Sequence, residues 1–519
     1  MRRRLTAAVL VLFLAACTAP APPSEVRPDA QGEAAFVYAQ NLDVVTDWDP
    51  ATSYSNEVIA LQNIYETLTV WNPVTKKASP RLATSWTSGG DGKSWTFTLR
   101  PGVTFHSGRP LDAAAVKASI ERTMKTDAGA SYIWDAVESI RVTGPLTVTF
   151  QLKYAAPLDL TASAAYAAYI YDVSVVDQVK DGKRDAGSGP YTVAGWRKGA
   201  EHELTLKAFE GYWGGWDRPH YRTVKFRVVP DPRRRWELLQ DGEISFVDRL
   251  SPGLYKRAAR TPGVRTADMP SFNTAMLLFN TERGPLRDVR LRKALQKAVD
   301  YRGLIEALGG GAVPASGIVP EGLPGHQRKR LPRQDLAGAQ QLLRQAGYGP
   351  GGRPLTLTLT YAEGDADQKI LVTRLAETLR PLNVTLDSRP MEWLAQWERG
   401  KEKGQDIFVM YWWPDYADGW SWFGNVFRSG KPPVFNLTYL KDSEADGMID
   451  MLPMLNVTDP ATAKKTFYRL TDRLLDVRAV AVFPWVVNYQ RAFLGAISGY
   501  DDNPAYPDVV FVYDLRPSA

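Results

Sequence analysis

The segment 411-YWWPDYADGWSWF-423 gathers the groups in this chain best suited to holding a ligand. Seven of its thirteen residues are aromatic, two are Asp and one is Pro. A carboxylate at the edge of a binding site can accept hydrogen bonds from a ligand's polar groups. Indole and phenol rings beside it supply apolar walls. The residues just before, 406-DIFVMYW-412, read as a buried strand. Pro414 cannot donate to a central ladder, so the strand ends about there. Asp415 then falls just past the carboxyl end, where open α/β sheets bind ligands. Asp415 is the leading site candidate, with Trp413, Tyr416 and Trp420 beside it. A turn or helix-cap role for Asp415 stays open. Asp418 reads as a cap, and Phe408 and Trp412 read as core. Trp420 and Trp422 fit core and cleft equally.

The elements around this strand have their own patterns. Residues 355-LTLTLTY-361 alternate as a strand, 369–380 have helical spacing, 383–386 form a strand again and 391–398 a short helix. Strand, helix, strand, helix, strand argues an α/β lobe with mostly parallel pairing. Upstream, Asp288 is placed to cap one helix whose apolar face runs from Leu291 to Leu308, closed by Gly309. In the first half, helical spacing from Val58 leads into a short strand at 68–71. Trp95, Phe97 and Leu99 alternate in a strand, and Asp112 caps a helix to about Met124. The stretch 87-TSGGDGKS-94 looks like a phosphate-binding loop, but Thr87 stands where that loop needs Gly, and a strand follows rather than a helix. Asp91-Gly92 is therefore read as a hairpin turn.

The totals exclude several classes. A chain of 519 residues is too long for one core, so two or three lobes are expected. The net charge is +6, with Arg2, Arg3 and Arg4 supplying three positives and no long basic run elsewhere, which argues against a nucleic-acid partner. His106, His202, His220 and His326 are not spaced as a metal pair, so neither metal nor cofactor is expected. There is no Gly-x-Ser-x-Gly elbow and no His-Glu-x-x-His. A carboxylate pair such as Asp415 with Glu392 is the residual hydrolase reading, and an enzyme is not expected. The single cysteine, Cys17, follows MRRR, an apolar run over 5–16 and the sequence Leu-Ala-Ala. That is an export-signal layout, and Leu-Ala-Ala-Cys resembles a bacterial lipobox with Cys17 as the lipidated residue. An ordinary secretory cut with an incidental Cys is the alternative. Residues 18–34, rich in Pro and Ala, read as a tether, and no later segment reads as transmembrane.

An ordered set of segments resembles the extracellular solute-binding proteins of family 5, the dipeptide- and oligopeptide-binding components of ABC importers. The set begins with the region 65–122. It continues through Gly187-Ser188-Gly189-Pro190-Tyr191, Tyr212-Trp213-Gly214, 239-LQDGEISFVD-248, 279–300, 340-QQLLRQAGY-348 and 411-YWWPDYADGW-420. The resemblance implies an α/β periplasmic-binding-protein fold: two ligand-binding lobes joined by a two-crossing hinge, plus a third lobe. Lobe I would comprise 35–75, 187–272 and 486–519, lobe II 76–186, and lobe III 273–485. The crossings would fall near 270–274 and 484–489, and the site between lobes I and III. It implies that Asp415 binds the α-ammonium of a peptide, and that His106 is structural. Tyr54, Ser55, Asn56, Ser271, Phe272 and Asn273 are positional candidates to face the site. Family dipeptide binders carry an Arg in the loop that here reads 362-AEGDADQK-369. An oligopeptide is thus expected over a strict dipeptide, with an oligosaccharide or other small solute as the alternative. The expected partners are that ligand and an ABC permease, the expected state is a monomer, and the expected place is the outer face of a bacterial membrane or the periplasm. A sensory lipoprotein on the same fold is not separable by sequence.

Overall fold

The computed structural model describes residues 35–41, 45, 47–197, 203–329, 331–430 and 435–517. Cys17, the expected leader and the expected tether lie outside the described residues. Two strands organise the rest. Val264–Phe279 pairs antiparallel with Trp485–Leu494 from Val264 to Pro270, slips register, and resumes with Thr274 opposite Val486. Pro270 has no N–H for the ladder, which fits a slip at that point. Beyond it, Thr274–Phe279 pairs antiparallel with Ile407–Trp412. These two strands lie where the hinge crossings are expected.

One mixed sheet therefore runs through both halves of the molecule. On one side of the crossing strands lie Tyr191–Arg197, Glu203–Ala208, Thr223–Val228, Ala35–Gln40 and Phe246–Val247. On the other lie Ile407–Trp412, Leu355–Ala362 and Val384–Met391. Leu355–Ala362 is parallel to both of its neighbours; the helix Ala366–Leu379 leads from it to Val384–Met391, and Trp393–Lys401 leads from there to Ile407–Trp412. The parallel pairing expected from sequence holds for these three strands. Thr274–Phe279, outside that run, enters from the other half without a helical crossover and runs antiparallel.

Both faces of this part of the sheet are buried. Ala275, Leu277, Phe279, Ile407 and Val409 point into one core. Met276, Leu278, Phe408, Met410 and Trp412 point into the other. The period-2 alternation of side chains puts each set on one face, and two covered faces explain the unbroken apolar run of the strand.

Helix starts follow the capping residues. Asp112 accepts from the Ala115 N–H at 2.8 Å to open Ala113–Thr126. Asp288 accepts from Arg290 N–H at 2.9 Å to open Val289–Ala298. The single helix expected to reach Gly309 is in fact two. Val299 is extended (φ −66°, ψ 126°), and Asp300 caps Tyr301–Ala307 through the Gly303 N–H at 3.0 Å. Asp competes with helix interiors for backbone donors and favours a cap. Ala83–Ser88, Ser94–Leu99, Thr147–Leu152 and Val137–Gly144 form a separate antiparallel sheet, with Asp91-Gly92 turning between the first two and Gly92 at φ 67°. Gly187 and Gly189 mark a backbone crossing: a Cβ on Gly187 would lie 2.1 Å from the Ile64 carbonyl oxygen. His106 buttresses this crossing through Asp185 and, at 2.9 Å, the Gly189 carbonyl.

Candidate functional site

The strand Ile407–Trp412 ends before Pro414, and the chain turns sharply through Asp415. Asp415 is only 5% exposed. Its Oδ1 accepts from the Tyr132 hydroxyl at 2.8 Å. Its Oδ2 accepts from Asn425 Nδ2 at 2.7 Å and Ser421 Oγ at 3.2 Å. All three donors are neutral, and among the described residues Asp415 has no ion-pair partner. Burial pushes its carboxyl above the ordinary range, although the Tyr132, Ser421 and Asn425 donors pull the other way. Ser421 and Asn425 sit one helical turn apart, in the short helical stretch that follows Gly419, so both reach the same carboxylate.

Asp415 lines a cavity of about 490 Å³. Its walls are largely aromatic: Tyr54, Tyr132, Tyr166, Trp393, Trp412 and Trp413 all face it, as does Asn56. Asp365, Gln368 and Tyr411 line the same space from the ends of the adjacent strands. Trp413 Nε1 donates to the Tyr166 hydroxyl, and the Asp415 carbonyl accepts from the Ala165 N–H at 3.1 Å. The cavity thus takes walls from the 76–186 segment as well, which the sequence reading kept away from the site.

The candidates read from sequence divide. Asp415, Trp413, Tyr54 and Asn56 meet at this cavity. Tyr416 is buried behind the turn at 7% exposure and does not line it. Trp420 lies over Gly424 on its own helix, where a Cβ would meet the indole at 2.4 Å. Phe272 is buried, with its ring edge near Gly322. Asn273 sits at the register slip of the crossing strands, its N–H donating to Ser271 Oγ at 2.9 Å. Asp418 caps Trp420 N–H at 2.7 Å, as its reading expects. Glu392 caps Trp393–Lys401 from the surface, so the Asp415–Glu392 pair is not assembled in this cavity. Sequence reasoning missed Tyr132, Tyr166 and Asp365, and also Ser421 and Asn425. The last two carried a signal, their four-residue spacing after a turn. Tyr132, inside 131-SYIW-134, carried none.

A mixed α/β sheet crossed twice between its halves, over a cavity with a buried carboxylate, defines a binding protein of the periplasmic type. Residues 77–433 match the family model for bacterial extracellular solute-binding proteins, family 5 Middle, and the chain belongs to that family. The probable D,D-dipeptide-binding periplasmic protein DdpA of Escherichia coli K12 is 26% identical over 438 residues, covering 82% of this chain and 83% of its own. The glutathione-binding protein GsiB of Salmonella paratyphi A is 28% identical over 402 residues, covering 75% and 77%. Two solved structures share the fold. NikA from Brucella suis with Fe(III)-EDTA has a TM-score of 0.82 at 23% identity, covering 93% of this chain and 100% of its own. DppA from Helicobacter pylori with the peptide STSA has a TM-score of 0.80 at 20% identity, covering 93% and 98%. Proteins of this family bind solutes for transport and are not enzymes. Among the described residues no helix is long and apolar enough to cross a membrane.

Proposed function

We propose that this chain is the substrate-binding component of an ABC importer, capturing peptides and handing them to a membrane permease. The observation that supports the reading is Asp415: a buried carboxylate in the cavity wall, held by neutral donors, of the kind a ligand ammonium would pair with. Peptide-class ligands named for two relatives, a D,D-dipeptide and glutathione, support it. In this reading lobe I is 35–75, 187–272 and 486–519, lobe II 76–186 and lobe III 273–485, and the crossing strands flex as the lobes close. An oligopeptide fits better than a strict dipeptide, because the 362–369 loop supplies Asp365 to the cavity and no Arg for a ligand carboxylate. Cys17 would carry a lipid that keeps the protein beside its permease. Trp413 supplies an apolar wall beside Asp415, and Tyr54 and Asn56 face it from the first segment. Tyr416, Trp420, Phe272 and Asn273 act behind the wall or at the crossing.

Intrinsic Trp fluorescence tests the reading, with the protein lacking residues 1–17 titrated with pooled tri- to pentapeptides, free and N-acetylated. Saturable binding of the free pool, and its loss on acetylation, is the expected result. No response to either pool overturns peptide capture.

A further inference from the structure

Two carboxylates reach the cavity from the carboxyl ends of neighbouring parallel strands. Leu355–Ala362 and Ile407–Trp412 pair with Leu359 opposite Ile407. The chain leaves the first strand toward Asp365 and the second toward Asp415, and both residues line the cavity. Asp365 Oδ1 accepts from the N–H groups of Asp367 at 3.0 Å and Gln368 at 2.9 Å, opening the helix Ala366–Leu379. The Tyr411 hydroxyl lies buried beside Asp365 without a hydrogen bond of normal length. Among the described residues, neither Asp365 nor Asp415 has an ion-pair partner. The third carboxylate at the cavity, Asp508, differs: Arg491 Nη1 holds it at 2.6 Å. Arg249, which approaches the Asp365 end, is engaged by Asp367.

The charge balance of the site follows. A peptide α-ammonium neutralises one buried carboxylate. The other, Asp365, is partly buried and held by two backbone N–H groups at its helix start, yet it has no ion-pair partner among the described residues, and a second cation on the ligand would supply one. Tyr54 at 48% exposure and Trp393 at 39% add ring faces that favour a cationic side chain. Resting on the peptide reading, we propose that the cavity selects peptides with a Lys or Arg side chain, the α-ammonium at Asp415 and the basic side chain at Asp365. Burial raises the carboxyls of both residues against the pull of their hydrogen-bond donors.

Calorimetric titration of the purified protein with tripeptide amides tests this. The panel carries Lys, Glu or Ala at each position in turn on an Ala background. The best Lys peptide is expected to bind about tenfold tighter than the all-Ala peptide, and the Glu peptides weaker still. In Asp365→Asn, which keeps a good capping residue at the helix start, the Lys-to-Ala ratio is expected to fall below about threefold. Raising salt narrows the Lys-to-Ala gap in the parent protein. Equal affinities across the panel overturn the proposal and leave peptide capture standing. An Asp365→Asn protein that keeps the full Lys preference overturns the assignment to Asp365. Silence from every peptide overturns peptide capture itself.

Discussion

The Tyr132 hydroxyl donates a 2.8 Å hydrogen bond to Asp415 Oδ1 across 283 residues of sequence. The contact joins the 76–186 segment to the turn after the strand Ile407–Trp412. With Trp413–Tyr166 and the Ala165–Asp415 backbone bond beside it, it closes that wall of the cavity. It also aims the carboxylate. An Asp side chain at a turn rotates freely, whereas donors on both oxygens fix the direction in which it faces the cavity.

Replacing Tyr132 with Phe keeps the ring and removes the donor. A hydrogen bond to a charged group is worth about 1.5–3 kcal/mol. Folding stability is expected to fall by about that amount in the Tyr132→Phe protein, and peptide affinity to fall several-fold as Asp415 loses its aim. The Asp415 carboxyl is expected to rise further, since Tyr132 now pulls it down. Calorimetry across pH 5 to 8 checks these effects.

Peptide binding should weaken on acidification earlier than an ordinary carboxylate would dictate. Binding an ammonium needs the ionised form of Asp415, and burial raises the pH at which that form appears. Affinity is therefore highest above the raised value and declines as pH falls through it. The affinity–pH profile of a free tetrapeptide reads this, and a profile flat down to pH 4 contradicts it.

Asp418 predicts a stability effect of opposite sense. It is 2% exposed, and burial pushes its carboxyl up to about 6. Between the unfolded value near 3.8 and about 6 the folded chain holds a proton that the unfolded chain has released. Its contribution is thus fully present below about 4 and is lost as pH rises through about 6, a difference of about 3 kcal/mol. Asp418→Asn removes this titration while keeping a capping side chain for Trp420. Denaturant unfolding is expected to show a smaller loss of stability between pH 4 and 7 in that variant.

Gly187→Ala should destabilise the chain without touching the cavity. The added Cβ would press on the Ile64 carbonyl, backbone that cannot rotate away. Overpacking of this kind costs about 1–3 kcal/mol. Equilibrium unfolding measures it, and an unchanged midpoint contradicts the crossing as described.

Much of this architecture was legible before the structure because its signals are local. Asp112 and Asp288 announced helix starts, Asp91-Gly92 a hairpin, and Pro414 the end of the strand before the site. The helix break at Val299–Asp300 was hidden because Leu291 through Leu308 keep an apolar period straight across it. Asp415 could be placed because strand ends and their loops follow from one short stretch. Tyr132 could not: its role comes from tertiary docking of a short turn whose own sequence says nothing about Asp415. Phe272 and Asn273 were picked for proximity to a crossing. Neither lines the cavity: Phe272 packs near Gly322, and Asn273 lies within the register slip.

The most direct test of the account is a thermodynamic cycle on Asp415. Calorimetry would compare the parent protein and Asp415→Asn, each with one tetrapeptide that binds the parent, free and N-acetylated. Loss of a buried charge partner typically costs about 2–5 kcal/mol, roughly 30- to 5000-fold in affinity. The account predicts a loss of that size from either change alone, and little further loss when both are made. Full affinity of Asp415→Asn for the free peptide, or fully additive losses, would contradict the contact between Asp415 and the ligand ammonium.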